Sequence, residues 1–129
     1  GIPETKRGLV AGAGGLIRLP RQIPPRLAMQ YALTGEFIDA ARAYEIGLIN
    51  EVTDGPALEA ANALAKQITE NGPLAVRISK QIIQEQAEWS KSDMWTEQQA
   101  LMRPVFTSQD AREGAAAFAE KRAPRWTGK

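Results

Sequence analysis

Residues 54–73 read DGPALEAANALAKQITENGP. Turn-forming residues open and close this stretch, and four apolar residues between them recur at the spacing of one helix face: Leu58, Ala61, Ala65 and Ile68. The stretch therefore predicts an amphipathic helix whose apolar face packs against the rest of the chain or against another molecule.

Helical patterns continue on both sides of this stretch. Helices are predicted from residue 14 to about 19, from 24 or 25 to 35, from 39 to 47, from 74 toward 89, from 92 or 93 to about 105, and from 108 to about 118. Gly35 is expected to end one of these helices and Asp39 to cap the next. Only residues 48–52, LINEV, combine partial alternation with branched side chains, and they predict one short strand. The sequence thus predicts a mainly α chain.

The composition excludes several classes of function. The net charge is +1, which gives no strong attraction for nucleic acid or for an anionic membrane. Cysteine and histidine are both absent, so disulfides, thiolate metal sites and a histidine base are excluded. No apolar run approaches a membrane span and no leader pattern is present, so we expect a soluble, cytoplasmic protein without a bound metal. Carboxylates, lysines or tyrosines must carry any acid–base chemistry.

Glu4 is the first candidate for such chemistry. A single glutamate near a terminus is usually a solvated surface charge. The functional alternative is a carboxyl group held in an apolar loop, where desolvation prepares it to donate or accept a proton. Pro3 stiffens the backbone before it, and Leu9 and Val10 could form the apolar wall.

The glycine-rich run Gly12-Ala13-Gly14-Gly15 is the second candidate. It is not a phosphate-binding loop of the Walker type, because no Gly-Lys-Ser/Thr follows it, and it is not a dinucleotide fingerprint. The simpler interpretation is a tight turn that leads into a helix. The alternative is that its uncovered backbone N–H groups hold a water molecule or an anionic oxygen.

The third candidate is the basic end of the chain, with four cations after residue 120: Lys121, Arg122, Arg125 and Lys129. Such cations are usually exposed to solvent, but lysine and arginine also suit phosphate groups. Phe118 and Trp126 lie nearby in the sequence and could stack on a base, although two aromatic residues support this only weakly.

Three longer stretches, taken together, resemble the enoyl-CoA hydratase/isomerase (crotonase) family. They read PETKRGLVAGAGGLIRLPRQI at 3–23, AMQYALTGEFIDAARAYEIGLINEV at 28–52 and SQDAREGAAAFAEKRAPRW at 108–126. The resemblance runs essentially end to end, but it covers only the C-terminal half of the family. It implies that this chain is the helical part of an α/β, crotonase-like spiral fold. Residues 1–54 would be the end of the crotonase core, and residues 55–129 a helical oligomerisation region.

The resemblance also assigns roles to individual residues. It places Glu4 at the second of two catalytic carboxylates, which act on a water molecule that adds across an enoyl double bond. It places Gly12 where a backbone amide helps to hold that water. Phe118 and Lys121 match positions of the coenzyme A (CoA) binding surface, with Lys121 as a phosphate or ribose contact. No separate cofactor is implied, because CoA is part of the substrate.

We therefore predict the C-terminal part of an acyl-CoA enzyme, a 2-enoyl-CoA hydratase, with an isomerase or another crotonase-family reaction as the alternative. The rival from another class is a non-catalytic helical module for oligomerisation. The resemblance implies a homo-oligomer, a trimer or hexamer, without nucleic acid or membrane partners. The first carboxylate and both oxyanion-hole amides belong to the N-terminal half, so we expect a piece of a longer enzyme that is inactive alone.

Overall fold

The computed structural model describes residues 1–129 as helices joined by short irregular segments. The α-helices are α1 (Gly15–Gln22), α2 (Pro25–Thr34), α3 (Ala40–Glu45), α4 (Ala57–Thr69), α5 (Pro73–Glu85), α6 (Met94–Phe106) and α7 (Gln109–Ala119). Single 3-10 turns lie at Glu4–Arg7 and Gln86–Glu88. The mainly α fold predicted from the sequence is confirmed. None of the helices is long and apolar enough to span a lipid bilayer.

The strand predicted at residues 48–52 is wrong. The start of this segment instead closes the end of α3, because the N–H groups of Leu48 and Ile49 both donate to the carbonyl of Ala43, over 2.8 and 3.4 Å. Gly47 has a positive φ of 77°, which turns the chain at this point. The following residues are irregular, and the structure contains no strand with which they could pair.

The chain divides into two compact units, Gly1–Ala57 and Leu58–Lys129. The roles predicted for residues 1–54 and 55–129 remain predictions. In the first unit α1 packs on α2, and the small core consists of buried residues from α2, α3 and the α1–α2 connection: Ile23, Ala28, Tyr31, Ala32 and Ala43. The Nε–H of Arg42 donates to Tyr31 Oη over 3.1 Å and joins α3 to α2.

Two predicted helix ends in the first unit are confirmed. Gly35 ends α2 in the left-handed conformation, with φ of 64°. Asp39 caps α3, because its Oδ1 accepts the N–H of Arg42 over 2.7 Å. These caps fix the short α2–α3 connection and so position the helices against which the N-terminal loop lies.

In the second unit α5 packs against α6, and α6 packs against α7. Ser108 begins α7 as a cap, with its Oγ accepting the N–H of Ala111 over 3.0 Å. The amphipathic stripe of α4 behaves differently, since no residue of α4 is buried and Leu58 is 71% exposed. The apolar face of α4 is therefore exposed in this chain.

Candidate active site

The 3-10 turn Glu4–Arg7 places Glu4 in the first unit. The Leu9 N–H donates to the Glu4 carbonyl over 3.0 Å and closes the turn. Thr5 Oγ1 donates to the carbonyl of Ala32 over 3.1 Å, which ties the turn to α2. Glu4 is therefore held on a fixed turn beside a packed helix, although it lies close to the start of the chain.

The Glu4 side chain contains an unusual atom. Its Oε2 is buried and has no hydrogen-bond partner. Glu4 also lines a cavity of ≈ 400 Å³ together with residues of the glycine-rich loop, α1 and α2, among them Ala11, Ala13, Gly15, Arg18 and Tyr31. A buried carboxylate oxygen without a partner is unfavourable, and in native proteins such an atom is explained by strain, by a catalytic role or by a bound water or ion.

The glycine-rich loop also lines this cavity. Gly14 adopts φ of 86° directly before α1, and a Cβ at this position would lie 2.8 Å from Nη2 of Arg18. The positive φ favours glycine there, whereas the end of the flexible Arg18 side chain could move aside. Gly14 directly precedes α1, so the interpretation of this run as a turn into a helix is confirmed. Gly12 lies between two residues that line the cavity, and a Cβ on it would meet no atom within 4 Å. No packing contact in this chain therefore requires glycine at position 12.

Phe118 and Lys121 lie together in the second unit, at the end of α7. Phe118 is 88% exposed, the largest exposed fraction among the large apolar side chains. Lys121 is also exposed, and its N–H donates to the Phe118 carbonyl over 3.2 Å. An exposed aromatic ring next to a cation suits a ligand that carries both a flat ring and a phosphate.

Asp110 and Glu113 are two carboxylates whose contacts the sequence alone did not predict. Asp110, only 5% exposed, accepts the N–H groups of Thr127 and Gly128 over 2.7 and 2.9 Å. Glu113 forms a two-pronged ion pair with Arg122 and also accepts the Arg125 N–H over 2.7 Å. Both carboxylates thus fasten the C-terminal segment (residues 122–129) onto α7. The two carboxylates are three residues apart, so they lie on one helix face, and a basic tail follows them. This pattern could have predicted ion pairs between α7 and the tail.

These contacts change the acidity of both carboxyl groups. The hydrogen bonds from the Arg122 side chain, followed by the bond from the Arg125 N–H, lower the pKa of Glu113 to about 2. The hydrogen bond from the Thr127 backbone is the largest cause that lowers the pKa of Asp110, and the Gly128 N–H and the Thr127 hydroxyl add to it. Both groups are therefore carboxylates at neutral pH.

Acid is expected to loosen the C-terminal segment. The pKa of Glu113 is depressed relative to about 4.3 in an unfolded chain, so its contribution to stability is present above that value and is lost as the pH falls toward 2. The backbone amide NMR signals of Arg125 and Thr127 should shift in this window. Glu113→Gln should remove most of the Arg125 response, and an unchanged wild-type spectrum down to pH 2 would contradict the expectation.

The structure thus arranges the predicted site residues as two pairs. Glu4 and the loop that contains Gly12 border one cavity in the first unit, while Phe118 and Lys121 share one helix end in the second unit. Of the basic residues at the end of the chain, Arg122 is engaged by Glu113 and Glu120. No cluster of three or more potential metal-ligating side chains is present.

Comparisons with known proteins give the family. A profile described as enoyl-CoA hydratase/isomerase matches residues 1–129. The chain is 40% identical over 129 residues to the probable enoyl-CoA hydratase 2, mitochondrial, of Arabidopsis thaliana, covering 99% of this chain and 43% of that protein. It is 37% identical over 133 residues to the carnitinyl-CoA dehydratase of Citrobacter koseri, covering 99% of this chain and 51% of that protein. The crystal structure of an enoyl-CoA hydratase from Mycobacterium tuberculosis matches with a TM-score of 0.94 at 59% identity, covering 100% of this chain and 52% of that chain.

The chain spans about half the length of these relatives and corresponds to their C-terminal half. Its helices match the helical C-terminal part of the crotonase fold, so both the fold and the resemblance predicted from the sequence are confirmed. The chain belongs to the enoyl-CoA hydratase/isomerase family.

Proposed function

We propose that this chain supplies part of the active site of an enzyme that acts on CoA thioesters, and that the reaction is hydration of a 2-enoyl-CoA. The names of the Arabidopsis and Mycobacterium relatives support the hydratase reaction. The observation that carries the proposal is the buried, unpartnered Oε2 of Glu4 on the wall of a cavity. This is the position that the family resemblance assigns to a catalytic carboxylate.

The proposed chemistry gives Glu4 the handling of one proton. A water molecule adds its oxygen to one carbon of the enoyl double bond and a proton goes to the other carbon, so a group must accept and deliver protons at the site. Glu4 shares this work with a second carboxyl group from the N-terminal half of the enzyme. The Gly12 amide, in a loop where no side chain covers the backbone, helps to hold the water.

Phe118 and Lys121 are proposed to bind the CoA part of the substrate. Lys121 offers its ammonium group to a phosphate, and Phe118 offers an exposed ring face. CoA is then part of the substrate, and no separate cofactor is required. The cytoplasmic location stays a prediction. The Arabidopsis relative is named as mitochondrial.

Lys121→Ala is expected to weaken the binding of CoA by about tenfold, the scale of one hydrogen bond to a charged group. The measurement is a titration of CoA into the chain, followed by NMR so that weak binding is detected. Lys91→Ala, which removes another exposed lysine of the second unit, is the matched control and should leave the affinity unchanged. Equal affinities for the wild-type chain and Lys121→Ala would remove Lys121 from the site.

The proposed partners are the N-terminal half of the enzyme and sister subunits in a trimer or hexamer. Large apolar side chains that the chain leaves uncovered support such contacts, among them Met29, Leu33 and Phe37 in the first unit and Leu58, Leu64 and Ile68 on α4. We expect the chain alone to lack activity, because the charge that develops on the thioester needs preorganised donors.

Two alternatives have an observation in their favour. The carnitinyl-CoA dehydratase relative favours the reverse type of reaction, loss of water from a CoA thioester. The exposed apolar faces favour a non-catalytic oligomerisation module. The oligomeric state, measured together with the CoA titration, distinguishes the module from the enzyme. An oligomer that does not bind CoA would favour the module, whereas CoA binding that is lost in Lys121→Ala would favour the enzyme.

A further inference from the structure

Lys121 has an unusual backbone conformation. It is the only residue other than glycine with a positive φ, 53°. A side chain with a Cβ is disfavoured in this left-handed region, and glycine is the usual residue where a helix ends in this way. Such a conformation persists only where the surrounding structure determines it strongly.

The contacts before Lys121 fix one side of it. The Lys121 N–H donates to the Phe118 carbonyl over 3.2 Å, and the Arg122 N–H donates to the Ala117 carbonyl over 3.0 Å. These two bonds close the end of α7. Ala117 is 2% exposed and belongs to the core of the second unit, so this side of Lys121 cannot shift without disturbing the core.

The contacts after Lys121 fix the other side. Arg122 Nη1 and Nη2 donate to the two carboxylate oxygens of Glu113, over 2.6 and 3.0 Å. Glu113 Oε1 also accepts the Arg125 N–H over 2.7 Å. Glu113 lies nine residues before Arg122, on the preceding part of α7, so this clamp bends the chain back at Lys121.

Two neighbouring cations therefore have different environments. The Arg122 guanidinium is occupied by Glu113, by Glu120 and by the Ala123 carbonyl. Lys121 is exposed and takes part in no ion pair of the chain. We propose that Glu113 is a positioning residue for CoA binding, which acts through Arg122 to hold Lys121 in its left-handed conformation. The proposal rests on the CoA-binding role given to Lys121 under the proposed function.

Glu120 provides a matched control for Glu113. Both glutamates pair with Arg122 and carry the same charge. Glu120 lies next to Lys121, makes a single contact to Arg122 Nε, and is largely exposed. Of these two glutamates, Glu113 joins the body of α7 to Arg122 and Arg125, whereas Glu120 contacts Arg122 alone. The loss of Glu113, and not that of Glu120, should therefore release the backbone of Lys121.

The first experiment measures the conformation of Lys121 without any ligand. The H–N–Cα–H coupling and the Cα and Cβ chemical shifts of Lys121 report its φ in the wild-type chain, in Glu113→Gln and in Glu120→Gln. We expect Glu113→Gln to lose the left-handed signature and Glu120→Gln to keep it. Arg122→Gln breaks the same ion pair from the arginine side. It replaces Glu113→Gln in this experiment if far-ultraviolet circular dichroism shows that Glu113→Gln has lost its helices. A left-handed Lys121 in both clamp variants would overturn the proposal.

The second experiment asks whether Glu113 acts on CoA through Lys121. CoA is titrated into Glu113→Gln, Lys121→Ala and the double variant. We expect Glu113→Gln to weaken binding about fivefold when Lys121 is present and to have no effect in the Lys121→Ala background. An equal loss in both backgrounds would mean that Glu113 only stabilises the fold, and would overturn the positioning role.

The two experiments separate the failure of this proposal from the failure of the proposed function. If Lys121→Ala leaves the CoA affinity unchanged, the CoA-binding role of Lys121 is contradicted. The role of Glu113 in CoA binding is then contradicted as well. The backbone signals of Lys121 then still decide whether Glu113 holds that residue. If Lys121→Ala weakens binding and Glu113→Gln does not, the proposed function stands and the positioning role of Glu113 is overturned.

Discussion

Glu4→Gln is expected to reduce kcat for the hydration of a short 2-enoyl-CoA by at least about 100-fold, the scale at which one acid–base group contributes. Glutamine has almost the same shape as glutamate, but it cannot exchange a proton with the water that adds to the substrate. The assay requires a complete active site. We would therefore join this chain to the N-terminal half of the Mycobacterium tuberculosis relative, which is 59% identical over the shared part.

The fold should survive this change. The Oε2 of Glu4 has no hydrogen-bond partner, so replacing the carboxylate with an amide of nearly the same shape breaks no hydrogen bond of that atom. The thermal midpoint of Glu4→Gln should therefore equal or exceed that of the parent, as is common when a residue of an active site is replaced. Glu36→Gln, at an exposed glutamate of the same unit, is the matched control and should keep full activity. An unchanged kcat in Glu4→Gln would remove Glu4 from the catalytic machinery.

Helix ends were predictable from the sequence wherever the deciding contact is local. Asp39 and Ser108 each accept an N–H from three residues further along, and Gly35 takes a left-handed conformation at the end of a periodic segment. Each of these features depends on residues within one helical turn, and the sequence displays them directly. The helix boundaries were therefore close to those observed.

Features that depend on distant residues were not predictable in this way. Residues 48–52 have the composition of a strand, but a strand also needs a partner, which the chain does not supply. The contacts of Asp110 with Thr127 and Gly128 join residues 17 and 18 positions apart, across a segment without periodicity. Composition alone showed only a basic tail there, and the fixed position of that tail became visible in the structure.

The candidate site falls between these two cases. Periodicity and composition left Glu4 as a charge near the start of the chain, and only the family resemblance singled it out. The structure then adds a physical reason, since the turn that holds Glu4 is tied to α2 and buries one carboxylate oxygen. Gly12 has no comparable structural observation, and its role remains a prediction.

Trp126→Ala is expected to lower the free energy of unfolding of the second unit by about 2–3 kcal/mol, somewhat below the usual cost of truncating a fully buried tryptophan. Trp126 is half-buried, and its ring occupies the space that two glycines leave open. A Cβ on Gly72 would lie 3.6 Å from its Cε3, and one on Gly114 would lie 3.3 Å from its Cη2. Its Nε1–H also donates to the Glu70 carbonyl over 2.8 Å.

Trp126→Phe separates the two contributions of this side chain. Phenylalanine keeps an aromatic ring near both glycines but loses the donor to Glu70, so it should cost about 1 kcal/mol, the value of one hydrogen bond. Urea unfolding followed by circular dichroism gives the free energies, and hydrogen exchange of the α7 amides shows that the loss lies in the second unit. If the free energy of unfolding of Trp126→Ala lies within about 0.5 kcal/mol of the wild-type value, the change is no larger than that of an ordinary surface substitution. The indole then does not anchor the C-terminal segment. The C-terminal segment would then be held chiefly by its hydrogen bonds to Asp110 and Glu113 of α7, which makes these carboxylates the next residues to test.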